Sequence, residues 1–127
     1  MSFNPRSVAI VSIAYFPKWY EGTLRSIKHT DKVRGDLALE FCTKAAKLSY
    51  QVVIVSGGSK VFSIELAKIK GIIILKKRGE KPSFARRMGI RIASKLTGVK
   101  AIVISEAEKV SIVTDCIFPI VESIING

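Results

Sequence analysis

Two carboxylates stand two positions apart in the stretch Ala101-Ile-Val-Ile-Ser-Glu-Ala-Glu-Lys109, directly after four apolar residues. In an extended segment, side chains at i and i+2 point the same way. Glu106 and Glu108 can then meet at one hard cation, Mg²⁺ or Mn²⁺, or at a cation already carried by a diphosphate. The alternative is a solvated turn that Lys109 neutralises locally. A second group able to do chemistry is Gly57-Gly58-Ser59, where two glycines let a ligand approach the backbone closely. A third is cationic. Lys76-Lys-Arg-Gly-Glu-Lys-Pro82 is a basic turn, and Arg86 and Arg87 follow near the start of a helix, where they oppose its dipole. Cations so placed suggest an anion nearby, although an unconstrained exposed face has the same appearance.

Four short apolar runs must position these groups: Ser7–Ala14, Gln51–Val55, Ile72–Leu75 and Ala101–Ile104. Apolar on both faces and bounded by polar or turn residues, they read as strands of a buried parallel sheet. Helical patterns alternate with them. Asp36 is placed to cap a helix reaching about Leu48, with Leu37, Ala38, Phe41, Cys42, Ala45 and Leu48 on one face. Ser59 caps a second helix through about Ile69, closed by Gly71. A third runs from about Ser83 to Thr97 on Ala85, Met88, Ile92 and Leu96, with Gly98 at its end. Ile117, Ile120, Val121 and Ile124 give a final face, which Pro119 either kinks or begins.

Strand–helix alternation of this kind predicts an α/β fold with right-handed crossovers and a mainly parallel four-stranded sheet. Ligands of such sheets gather beyond the carboxyl ends of the strands. That rule brings Tyr15, Gly57-Gly58-Ser59, the basic turn after Leu75, and Glu106 with Glu108 to one rim.

One stretch has no convincing period. Lys18 to Arg34 is basic and holds Trp19, Tyr20 and the chain's one histidine, His29. Lys18, Arg25, Lys28, Lys32 and Arg34 can grip phosphates while the two aromatic residues stack a base. A solvated loop fits equally, and His29 without a second ligand nearby reads as a surface residue.

Composition narrows the class. A chain of 127 residues with 48% hydrophobic content can build one domain, 1–127, without metal or disulfide staples. Its net charge of +11 favours a polyanionic partner: a nucleotide diphosphate, nucleic acid or a membrane surface. Cys42 and Cys116 belong to no paired metal or redox motif and are expected as buried free thiols of a cytoplasmic protein. The apolar runs are too short to cross a bilayer. Side-chain amides are confined to Asn4, Gln51 and Asn126, a scarcity that resembles thermophilic sequences.

In this order the motifs resemble the nucleotide-binding half of family-2-type glycosyltransferases of the GT-A fold. The matching residues are Tyr15 at the end of the first strand, the Gly57-Gly58-Ser59 turn, Ala85-Arg86-Arg87-Met88-Gly89-Ile90, and Glu106-Ala107-Glu108. The resemblance implies a Rossmann-like three-layer α/β/α domain with strand order 3-2-1-4. It implies nucleotide contacts from Tyr15, Gly57, Gly58, Ser59, Arg78, Arg86 and Arg87, and a divalent cation held by Glu106 and Glu108. The expected ligand is a nucleotide diphosphate-sugar, and the reaction class is glycosyl transfer. Three departures stand out. Ser56 replaces a common acidic residue, Glu replaces Asp at both metal positions, and the sequence stops at Gly127 where an acceptor half is expected. A truncated or split transferase is one expectation. A non-catalytic basic module for nucleic acid is the other. Loss of the acceptor half would leave the fourth strand and the last helix uncovered, so a homodimer is also expected.

Overall fold

The computed structural model describes residues 4–76 and 81–126. A short 3₁₀ turn, Pro5–Ser7, leads into β1 (Val8–Tyr15), α1 (Thr30–Lys47), β2 (Gln51–Gly57), α2 (Lys60–Ala67) and β3 (Ile72–Lys76). Next come α3 (Pro82–Ser94), β4 (Ala101–Ile104), a π-helical turn (Ile112–Cys116) and α4 (Ile117–Asn126). The strands form one sheet in the order β3-β2-β1-β4, parallel throughout. The Rossmann-like α/β architecture and its strand order are those anticipated.

The sheet separates two apolar layers because successive side chains of a strand face opposite ways. On one face Val8, Ile10 and Ala14 of β1, with Val52 and Ile54 of β2, pack under Phe41, Phe62, Leu66, Ile117 and Val121 of α1, α2 and α4. On the other, Ala9, Val11 and Val53 meet Ala93 of α3. This second interface is close. A Cβ added at Gly89 would stand 2.6 Å from Cγ1 of Val11, so glycine sets how near α3 lies to β1. The inner stripe of α3 is therefore Ala85, Gly89 and Ala93, while Met88, Ile92 and Leu96 are only half-buried.

Sequence expectations around α1 change. The segment Lys18 to Arg34 is not all loop, for α1 already begins at Thr30. Its buried stripe runs Lys32, Gly35, Ala38, Phe41, Cys42 and Ala45, whereas Leu37 and Leu48 are exposed. Asp36 is accordingly inside the helix and caps nothing. Its Oδ1 instead accepts from Lys32 Nζ at 2.9 Å and from Trp19 Nε1 at 3.0 Å. Trp19 is buried against Gly35 and Phe62 and offers no stacking surface.

At the other end of the chain, the inward line is Val113, Ile117 and Val121, leaving Ile120 and Ile124 exposed. Pro119 lies inside a helical run that is continuous from residue 110, three residues past the π turn that widens the helix ahead of it. Of the cysteines Cys42 is buried, but Cys116 is half-exposed and departs from the expected pair of buried thiols.

Candidate functional site

β4 is four residues shorter than β1, and the difference makes a notch. Its last residue, Ile104, pairs with Val11, and Ser105 N donates to Val11 O at 3.1 Å. Ser12 to Tyr15 then continue with β2 on one side and no strand on the other among the described residues. A cavity of about 430 Å³ occupies this notch. Here the strand order reverses, since β2 and β3 lie to one side of β1 and β4 to the other. Ligands of α/β sheets bind beyond the carboxyl ends of the strands at such a reversal, and here α1 and α4 lie on one face of it and α3 on the other.

Arg34 of α1, Arg86 of α3, Glu106 and Glu108 all line that cavity. The turn holding the two carboxylates is anchored by Ala107, which is fully buried between them. The carboxylates differ in environment. Glu108 is largely enclosed and its Oε1 accepts from Arg34 Nε at 3.0 Å and from the Arg34 terminal nitrogen at 2.9 Å. The Arg34 guanidinium in turn rests 5.3 Å from the centre of the Phe16 ring. Glu106 is two-thirds exposed, with Lys109 Nζ at 3.9 Å. Arg86 is exposed and forms no ion pair among the described residues.

One lining residue was not singled out in the sequence. Ser12 is 1% exposed, and its Oγ has no hydrogen-bond partner among the described residues. The signal for it was a lone hydroxyl inside the apolar run of β1. Ser105, also on the cavity wall, turns its own Oγ to Glu106 O at 3.0 Å.

The remaining sequence candidates divide by position. Tyr15 pairs in register with Gly57, and a Cβ at Gly58 would meet the Tyr15 ring and the Pro17 backbone, each at 3.2 Å. With its φ of +91°, Gly58 can hardly be another residue. Tyr15, Gly57 and Gly58 thus form a second patch of the rim, on the β2 side of β1. Ser59 Oγ is committed to capping α2, accepting from Phe62 N at 3.2 Å. Arg87 belongs to a separate shallow pocket with Lys81, Ser83 and Phe84. Arg78 lies outside the described residues.

For a divalent cation the available donors are Glu106 and an already paired Glu108. No group of three or more His, Cys, Asp or Glu side chains able to hold a metal exists among the described residues. The set fits a cation that arrives with phosphate oxygens of its own, as Mg²⁺ commonly does, and does not fit a dedicated protein cage. No helix among the described residues is long and apolar enough to cross a membrane.

Compared with known family models, curated proteins and solved structures, the chain finds no match.

Proposed function

We propose that the notch between β1 and β4 binds the diphosphate of a nucleotide diphosphate-sugar, and that the protein is glycosyltransferase-like. The observation that carries this reading is the cavity at the strand-order reversal, walled by Glu106 and by Arg86, which has no ion-pair partner among the described residues. In this reading Arg86 meets phosphate charge. Glu106, joined by Glu108 when Arg34 swings to the ligand, holds the Mg²⁺ or Mn²⁺ that accompanies it. Such a cation would stabilise negative charge on the departing diphosphate. Tyr15, Gly57 and Gly58 form the adjoining rim, where a nucleoside can lie beside the Tyr15 ring that packs over Gly58.

Calorimetric titration with a panel of nucleotide diphosphates and their sugars, with and without Mn²⁺, tests it. Binding should need the cation, and Arg86→Ala should weaken it by about tenfold or more, the usual effect of losing a charge-assisted hydrogen bond. Absence of binding across the whole panel would refute the reading.

Assembly as a homodimer is part of the same proposal. β4 is an edge strand with Ile104 half-exposed, and α4 turns Ile120 and Ile124 outward. Light scattering at micromolar concentration should give twice the monomer mass, and Ile120→Lys with Ile124→Lys should return it to one.

A further inference from the structure

A second cavity, of about 460 Å³, opens on the far side of the first turns of α1 and includes Lys18, Arg25, Lys28 and Lys32 in its wall. We infer that it is a separate anion site, which takes a chain of two or more phosphates and reads no base.

Charge comes first. Lys18, Arg25 and Lys28 have no carboxylate partner among the described residues. The lining carboxylate, Asp31, accepts from the backbone N of Lys18 at 2.9 Å. Lys32 adds a positive charge that is almost completely enclosed, shared with Asp36 at 2.9 Å. Three cations that form no ion pair among the described residues outweigh the one lining carboxylate, Asp31, and a multivalent anion relieves the excess positive charge.

Order comes next. Cations on free tethers must be immobilised when an anion binds, whereas here the wall is built around Tyr20. The Tyr20 hydroxyl bonds His29 Nδ1 at 2.8 Å and accepts from Arg25 N at 2.9 Å, which ties residues 20 to 29 into a closed loop. The Arg25 guanidinium lies 4.2 Å from the centre of the Tyr20 ring. Lys32 Nζ stands 5.4 Å from the same centre, and the His29 ring meets it edge-on at 5.5 Å.

That covering also decides what the site excludes. A base needs an aromatic face on which to stack. The Tyr20 ring is occupied by Arg25 and His29, and Trp19 is buried beneath. What remains is cationic, so recognition falls on phosphate charge and is indifferent to the nucleoside.

The experiment is calorimetric titration of the full chain with inorganic pyrophosphate and tripolyphosphate, in parallel with ATP and UTP, without divalent metal. Wild type should bind tripolyphosphate more tightly than pyrophosphate, and both more weakly as salt rises. The Arg25→Ala, Lys28→Ala double variant removes two exposed side chains and should bind pyrophosphate at least about tenfold more weakly. Lys100→Ala, which removes one exposed charge at the amino end of β4 and outside this cavity, should change binding by less than about twofold. Thermal unfolding of each variant at the wild-type midpoint excludes a folding defect. ATP and UTP should match tripolyphosphate to within a similar margin.

Three results would overturn the inference. One is a wild type that binds neither inorganic anion. Another is loss of binding in Arg86→Ala while the double variant binds normally, which assigns the anion to the notch beside β4. The third is strong discrimination between ATP and UTP that disappears in the double variant. Because the deciding probes, pyrophosphate and tripolyphosphate, are inorganic and metal-free, failure of the nucleotide-sugar reading leaves this result standing, and the reverse also holds.

Discussion

Ser12→Ala is expected to make the protein more stable and its ligand complex weaker. Ser12 lies in the central strand at 1% exposure, and its Oγ has given up water without gaining a partner among the described residues. Leaving a buried hydroxyl unsatisfied costs about 1–3 kcal/mol. Alanine removes that cost and deletes only one oxygen, so the void left is smaller than a methylene hole and offsets little. The net gain should be about 1–2 kcal/mol. For 127 residues, an unfolding entropy of roughly 2.1 cal/mol/K per residue makes 1 kcal/mol worth about 4 °C in midpoint. The expected rise is therefore about 4–8 °C, measured by calorimetry and checked by urea unfolding with an unchanged m-value.

The second half of the prediction separates function from accident. A ligand that binds only the folded state raises stability in proportion to the logarithm of its concentration over Kd. Where the Ser12 hydroxyl meets the ligand, saturating nucleotide-sugar with Mn²⁺ should raise the midpoint less in the variant than in wild type. Equal rises would leave the hydroxyl without a part in binding. A loss of stability above about 1 kcal/mol would refute the reasoning outright, because it would show that the Oγ is already satisfied.

Gly89→Ala should destabilise by about 1 kcal/mol: overpacking against Val11 costs about 1–3 kcal/mol, and the helix preference for alanine returns under 1. Val11→Ala should relieve it in a double-mutant cycle, and a variant more stable than wild type would contradict the close packing of α3. Asp36→Ala strips one carboxylate oxygen from both Lys32 and Trp19. Since Asp36 is half-exposed, the cost should be about 2–3 kcal/mol by urea unfolding, below the value for a fully buried pair. Lys32→Met in the same chain should recover most of it, and no recovery would mean that Lys32 is not the group left stranded. Alkaline pH gives another test, because burial pushes the Cys42 thiol from an ordinary 9.0 up to about 12. A raised pKa means that stability is complete below pH 9 and is lost as pH climbs toward 12, since the unfolded chain ionises first. The loss should approach about 1.4 kcal/mol per pH unit above 9 and be shallower in Cys42→Ala. Equal slopes in the two proteins would remove Cys42 as the cause.

The strands were legible because a parallel sheet covered on both faces demands unbroken apolar runs, and few other structures do. Helices were less so where their inner faces are not made of large apolar residues. α1 escaped recognition before Asp36 because its inner line continues through Gly35 and Lys32, neither of which registers as hydrophobic. For α3 the eye goes to Met88 and Ile92, although contact with β1 is made by Ala85, Gly89 and Ala93. Trp19 resembled a stacking surface because its hydrogen-bond partner, Asp36, stands 17 residues away in the chain.

The candidate site was legible to the same depth and for related reasons. A parallel sheet sends every carboxyl end to one rim, so Tyr15, Gly57, Gly58, Ser59, Glu106 and Glu108 could be brought to that rim from sequence. Their division could not, because it follows from β1 standing between β2 and β4. Nor does the i, i+2 spacing of the carboxylates reveal that they are unequal. Glu108 is held by Arg34, a residue 74 positions away, while Glu106 remains open to solvent. The pairing bears on the chemistry. A cation reaching Glu108 must compete with a guanidinium making two bonds to one oxygen, and a bare divalent ion gains too little there to displace it. A cation bound to diphosphate brings the phosphate oxygens that Arg34 can take in exchange. Metal and nucleotide should accordingly bind together or hardly at all. Titrating Mn²⁺ alone therefore belongs beside every nucleotide titration, with a lone metal isotherm as the result that would break this argument.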